Sequence, residues 1–296
     1  MTHVSTRRGM LYVTLAATIW GTGGPAAALL YQVSGLGPVA VSFWRFVFGA
    51  GLLFAAARVL RRGVSGRPRW TGLLLVGAGL AVSQAAYFAA VAETGVAMAT
   101  VITLGATPAM VALGARLLLA ERLGRTGAAS MGLALVGLLL LLGAPSAAST
   151  SGLTLSLLSA FAYAGVTLHS RASARSDAPG ARADAYGTAM WGFVVGGVML
   201  LPLAVAQGLV PSGGEAATVA LLGYLGAVPT ALAYNLFFTG LAAVRATTAS
   251  VVALLEPAGA TAIGVLVLGE HLTAVSAAGA ALLLVSVALP ALGGDA

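Results

Sequence analysis

The chain contains no cysteine and no lysine, and charged residues of any kind make up only 8% of its 296 positions. Without cysteine there are no disulfides, no zinc–thiolate centres and no cysteine nucleophiles. The scarcity of charge is more telling, because a soluble domain carries about a quarter charged residues. A water-soluble fold of this composition would have no surface to present to solvent. No GxxxxGK[ST] phosphate cradle is present, so ATP hydrolysis by this chain is excluded. There is also no HExxH, and the three histidines, His3, His169 and His271, fall near segment ends or in loops, which argues against an intramembrane metalloenzyme. No metal and no cofactor are expected. The pI near 10.6 resembles that of a nucleic-acid binder, but that reading needs basic residues gathered on one folded face. The fifteen arginines are instead dispersed between apolar runs, and no nucleic-acid partner is expected.

What fills the chain is apolar: 59% hydrophobic residues and a mean hydropathy of +0.99. About 20 mostly apolar residues cross a bilayer as a helix. Cutting at polar, Gly/Pro and charged punctuation gives ten such segments. The first five run Gly9–Leu30, Pro38–Leu60, Trp70–Ala92, Val96–Leu119 and Thr126–Gly143. The second five run Leu153–Ser170, Ala185–Ala206, Ala216–Leu241, Ala246–Leu268 and Thr273–Leu292. The first segment is nearly span length and is followed at once by others, so it reads as a helix rather than a cleaved signal. Connections are short, leaving no room for an extramembrane domain. With the amino terminus inside, fourteen of the fifteen arginines fall on inner loops and ends, the exception being Arg45. The outer loops carry only Glu93, Glu215, Glu270 and His271. Retained loops are enriched in Lys and Arg, so both termini are expected in the cytoplasm.

The sequence also repeats. Phe88, Pro108, Glu121 and Leu123 recur without gaps as Phe237, Pro257, Glu270 and Leu272, at a constant offset of 149 residues. A five-helix unit repeated once inserts its second copy upside down, the inverted-repeat plan of many secondary transporters. The expected fold is an all-α integral membrane protein of ten transmembrane helices, with residues 1–143 and 144–296 as the two repeats. Trp20-Gly21 in helix one, Arg45 within Phe-Trp-Arg-Phe in helix two, Pro108 with Glu121-Arg-Leu, and Glu256-Pro257 followed by Gly269-Glu270-His-Leu together resemble the drug/metabolite transporter superfamily. More narrowly they are similar to EamA-domain permeases, over nearly the whole chain. The resemblance implies a bacterial plasma (inner) membrane protein with cytoplasmic termini and a central cavity between the halves. It further implies export or exchange of amino acids and other small metabolites. Pro25 and Pro229 have no proline counterpart in the other half, so an asymmetric cavity is expected.

Ionisable groups within hydrocarbon cost about 2.5–3.5 kcal/mol on insertion scales and are functional candidates by default. Two lie well inside a span. Arg45 is roughly 10 Å from the outer end of helix two, and Glu256 roughly 16 Å from the inner end of helix nine, at 1.5 Å per residue. Pro257 removes a backbone hydrogen bond to Ala253 and opens the helix beside the Glu256 carboxyl. The equivalent Pro108 is expected to open helix four near Leu104, and paired interruptions of this kind point to a midplane site. Glu256 then holds a substrate ammonium or takes up a coupling proton; the competing reading is a structural acid paired with Arg45 or backbone donors. Arg45 either grips a carboxylate with its two-pronged head or reaches helix-end carbonyls or the interface by its long stem.

Trp20, Gln84, Tyr87, Tyr163, Trp191, Tyr234, Asn235 and Phe237 form a polar and aromatic set near the midplane, suited to stacking and orienting a solute. Interface anchoring and helix–helix ties are the alternative for each of them. Gly21-Thr-Gly-Gly-Pro25 is a weak helix former that serves as a gating hinge or as a close-packing surface. Gly192 and Gly196 read as packing surfaces. Glu121 and Glu270 are expected to be solvated helix-end carboxylates, with a capping, pairing or gate role as the alternative.

These observations favour a secondary transporter, an exporter of amino acids or similar small metabolites, whose halves rock about a central cavity. A membrane enzyme would need convergent catalytic groups at one depth, which the sequence lacks. A noncatalytic receptor or assembly subunit would need no opened helices at the midplane. The partners expected are a small-molecule substrate and the lipid bilayer; a homodimer is compatible with the sequence.

Overall fold

The computed structural model describes residues 4–59, 70–143, 149–175, 185–268, 271 and 273–292, and among these there is helix and no strand. Nine stretches are long and apolar enough to cross a bilayer, and a tenth, shorter one covers Ala274–Leu289. Seven spans are unbroken: α3 (Pro38–Val59), α4 (Trp70–Thr94), α5 (Val96–Leu118), α6 (Arg125–Leu142), α7 (Thr150–Arg175), α8 (Ala185–Gln207) and α13 (Ala274–Leu292). The other three are interrupted near their middles, each for a reason written in the sequence.

The first span divides into α1 (Thr6–Gly21) and α2 (Gly23–Ser34). Gly21, Gly23 and Gly24 hold the helix weakly. At the junction, Thr22 turns both its backbone N–H (3.0 Å) and its hydroxyl (2.7 Å) back to the Ile19 carbonyl. Pro25 falls in the first turn of α2, where its missing N–H has no partner to lose. The eighth span comprises α9 (Glu215–Leu225), a wider π-helical segment Gly226–Leu232 and α10 (Ala233–Leu241). Pro229 lies in the π segment, whose extra residue per turn accommodates the missing donor. The ninth span comprises α11 (Ala246–Val252) and α12 (Leu255–Leu268). Pro257 cannot donate to Ala253, whose carbonyl is met instead by the Glu256 N–H at 3.0 Å.

One expectation fails. Pro108 does not open its helix: α5 runs unbroken from Val96 to Leu118. The turn is held by the Thr107 hydroxyl donating to Thr103 O (2.7 Å), and Thr103 in turn donates to Ser156 O on α7 (3.3 Å). Hydroxyl groups and a neighbouring helix commonly make proline tolerable within a span. The opening is therefore present at Pro257 and absent at its repeat partner.

With no hydrophobic drive between helices in lipid, close approach of small residues must hold them. The α4–α8 seam shows this. A Cβ on Gly192 would stand 2.9 Å from Val76, and one on Gly196 would stand 2.9 Å from Phe46 and 3.1 Å from the Gly77 carbonyl. Those two glycines act as packing surfaces, as expected. Outward-facing Leu117, Leu118 and Val198 remain exposed, as a lipid-facing belt requires. The α6–α13 pair has its own small core of Ala134, Leu138, Leu141 and Leu283, and Ser130 donates to the Ser286 carbonyl across it.

Candidate functional site

The three interruptions meet. A Cβ placed on Gly21 would lie 2.8 Å from both Glu256 O and Ala260 N, so the end of α1 sits directly against the first turn of α12. Gly23 faces Pro229 of the π segment, and the Thr22 hydroxyl pairs with Tyr224 Oη at 2.6 Å. Gly21 thus serves close packing at the junction.

Backbone irregularity and charge coincide here. Glu256 lies in the first turn of α12, whose N-terminal end favours a negative group. Its carboxylate is partly buried and makes no hydrogen bond among the described residues. Arg45, partly buried on α3, donates from Nε to Thr230 Oγ1 in the π segment at 3.2 Å. Arg45 and Glu256 are within electrostatic reach of one another, yet the ion pairs among the described residues both belong to Glu121. The acid and the base therefore confront each other across the site without closing on one another. Arg45 is held by a threonine hydroxyl rather than by a helix-end carbonyl.

Phenols surround the charges. Tyr234 lies near enough to Arg45 and Glu256, and Tyr87 and Tyr163 to Glu256, for charge on those groups to act on the phenols. Tyr87 Oη is paired with Thr100 Oγ1 at 2.7 Å. Trp20 packs edge-on to Tyr234 (centroids 5.0 Å) and against Phe237 (5.1 Å). Tyr234 continues to Phe193 at 5.2 Å, and Phe193 stacks on Phe46. The Trp20 indole N–H is buried with no hydrogen-bond partner among the described residues. An unpartnered buried donor is costly, and this one belongs to the ring packed against Tyr234.

Of the residues singled out from sequence, Glu256, Arg45, Trp20, Tyr87 and Tyr234, with Gly21, Pro25 and Pro257, come together at this junction. Gln84 instead ties helices, accepting from the Ser42 hydroxyl at 3.3 Å. Asn235 is partly buried on α10, next to Tyr234. Trp191 packs edge-on to Trp70 at the start of α4, at 6.0 Å, rather than with the central aromatics. Pro108 contributes no opening. Glu121 is not a solvated carboxylate: it is 9% exposed and ion-paired with Arg171 at 2.9 Å. Glu270 lies outside the described residues. Sequence reasoning missed Thr230, although the adjacent unpaired Pro229 marked its turn, and Tyr31 of α2, which lies near enough to Arg45 for its charge to act on the phenol.

A family model described as EamA-like transporter family matches residues 7–143 and again 150–291. A Bacillus subtilis protein described as the uncharacterized transporter YwfM is 30% identical, the match covering 93% of this chain and 90% of that protein. An uncharacterized transporter of Archaeoglobus fulgidus is 31% identical over 95% of each chain. The uncharacterized inner membrane transporter YicL of Salmonella typhimurium is 27% identical over 96% of this chain and 95% of its own. A crystal structure superposes with a TM-score of 0.82, covering 96% of both chains at 21% identity, a likeness of fold alone.

Proposed function

The chain belongs to the EamA-like transporter family and is a multi-pass membrane transporter, and from that premise we propose that it moves a small zwitterion, an amino acid or similar metabolite, by alternating access. The observation that carries this is the Arg45–Glu256 pair. Two opposite charges within apolar spans, held apart and each without an ion pair among the described residues, match the carboxylate and ammonium of one solute. Arg45 with the Trp20 N–H supplies donors for the carboxylate, Glu256 receives the ammonium, and the Tyr87, Tyr163 and Tyr234 rings enclose what lies between. A coupling proton can bind only where a group titrates, and Glu256 is the acid of this site. We further propose that residues 1–143 and 144–296 are inverted repeats. The arginine bias supports cytoplasmic termini, the bacterial relatives support an inner-membrane location, and export is the direction that the resemblance to EamA-domain permeases implies. Membership of this transporter family favours transport without covalent chemistry.

The test is uptake of a panel of radiolabelled amino acids into proteoliposomes, with and without an imposed pH gradient, for the wild type and Glu256→Gln. The expected result is flux by the wild type, with at least the pH-gradient dependence lost in the variant. Unchanged flux and unchanged gradient dependence in Glu256→Gln would remove Glu256 from the mechanism.

A further inference from the structure

At the end of the bundle where α5 and α7 finish and α11 begins, four spans converge on one carboxylate. Glu121, three residues beyond α5, accepts at Oε1 from Arg171 Nε of α7 (2.9 Å) and from Arg175 Nη1 (3.3 Å). Its Oε2 accepts from the N–H of Ala246, the first residue of α11, at 3.0 Å. Arg171 then donates from Nη1 to the carbonyl of Leu241, the last residue of α10, at 2.6 Å. Both charged side chains are more than nine-tenths buried. On the central-site side of this node, Val111 and Ala115 of α5, Ala164 and Leu168 of α7 and Ala246 form a buried apolar cluster. This plug abuts the node: the chain folds back after α5 so that the Glu121 N–H donates to the Ala115 carbonyl at 3.0 Å, and Ala246 belongs to both.

The opposite end is tied differently. Ser212 donates through N (2.9 Å) and Oγ (3.1 Å) to the Ser34 carbonyl, Val39 N donates to Gln207 Oε1 (3.1 Å), and Trp44 Nε1 donates to Leu209 O (3.0 Å). These bonds join the first, second, seventh and eighth spans. Ser151 Oγ donates to Glu93 Oε2 at 2.7 Å, joining α4 to α7. Among the described residues, no such tie at that end joins α5 to the span of α11 and α12. The packing agrees: α11 lies on α5, whereas α12 packs mainly on α1 and reaches α13, α2 and α6. The seam beside Glu256 is therefore sealed on the α11 side.

We propose that the Glu121–Arg171 node, with the apolar plug next to it, is the gate that closes this end of the solute path. Opening requires Glu121 to release Arg171 and the N-terminus of α11. A buried ion pair suits this use because water entering an opened path rehydrates both charges, offsetting the interaction that is lost. The same two residues also position the ends of α10 and α11, so the gate moves the two interrupted spans that carry Tyr234 and Glu256. This proposal rests on the transporter reading. A purely structural staple differs from it in one respect: a staple stays closed throughout the cycle.

The absence of native cysteine allows a direct test. Ala115→Cys and Ala246→Cys, introduced together and joined by a short reducible bifunctional thiol reagent, hold α5 to α11. Flux in proteoliposomes is expected to fall at least tenfold and to return on reduction; flux above half the unlinked value would overturn the gate. A second arm needs no substrate. In an Ala115→Cys background, the alkylation rate by a polar maleimide is expected to rise about tenfold with Glu121→Ala, a change of about 1.4 kcal/mol in the closed–open balance. Glu121→Gln, which keeps the volume and one acceptor for Arg171, is expected to raise it less, and size-exclusion profiles report folding for each variant. An unchanged alkylation rate in folded Glu121→Ala and Glu121→Gln would also overturn the gate. Because this arm reads opening alone, the gate stands or falls on it even if the wild type moves none of the solutes offered.

Discussion

Gly21 and Gly24 lie three residues apart at the break in the first span, yet their replacement by alanine should have opposite effects. A Cβ on Gly21 meets three backbone atoms under 3.0 Å: Glu256 O and Ala260 N at 2.8 Å and Gly259 C at 2.9 Å. None of these is the far end of a flexible side chain, so α12 itself must shift. Overpacking of this kind costs typically 1–3 kcal/mol, and contact with three backbone atoms puts Gly21→Ala in the upper part of that range. Alanine returns up to about 1 kcal/mol of helix propensity, leaving a net loss of about 1–2 kcal/mol. At about 2–4 °C per kcal/mol, the melting temperature should fall by about 2–8 °C. Gly24 has nothing within 4 Å of its Cβ position and no left-handed backbone, so Gly24→Ala retains only the propensity gain and should raise melting by up to about 4 °C. Thermal unfolding of the purified protein in detergent, followed by loss of the monodisperse peak, reads both. Since Gly21 abuts the turn that carries Glu256, Gly21→Ala should also lower flux while Gly24→Ala leaves it intact. Equal melting shifts in the two variants would refute the claim that the first and ninth spans meet backbone to backbone.

Trp20→Phe removes a buried N–H that has no partner among the described residues while keeping most of the ring. Melting should stay within about 1 kcal/mol of wild type or improve, and flux should fall severalfold if that N–H meets the solute; unchanged flux would remove it from the site. Arg45→Lys keeps the charge but gives up the planar donor set that reaches Thr230. Flux should drop at least tenfold with little change in melting, and an equal loss of folded protein would identify Arg45 as structural. Thr22→Val deletes the hydroxyl that pairs with Tyr224 and Ile19; melting should fall by an amount equivalent to about 0.5–1.5 kcal/mol, measured as for Gly21→Ala.

Much of the fold was readable because the bilayer imposes one rule, apolar runs of fixed length. Arg45 and Glu256, on which the proposed site rests, are conspicuous in the sequence for the same reason: an acid or a base within a long apolar run stands out. Proline was a poorer guide. Pro108 and Pro257 are identical in the repeat, but Thr103 and Thr107 keep α5 intact while the ninth span opens, so the result depends on hydroxyls one turn away and on the neighbouring helix. Glu121 was misread because its position at the end of a span suggests solvent, and nothing local says that Arg171, fifty residues on, returns to bury it. Thr230 and Tyr31 carry no charge, and only the assembled bundle brings them to Arg45.

The central claim is that solute occupies the junction between Arg45 and Glu256. Thr100, partly buried and bonded to Tyr87 Oη, offers a reporter there, because Thr100→Cys changes little volume in a chain with no other thiol. The alkylation rate of that cysteine should fall several-fold when a transported amino acid is added, and Glu256→Gln in the same background should abolish the protection. Protection that persists unchanged in the Glu256→Gln background, or a transported solute that gives none, would place solute binding elsewhere in the bundle and contradict the account.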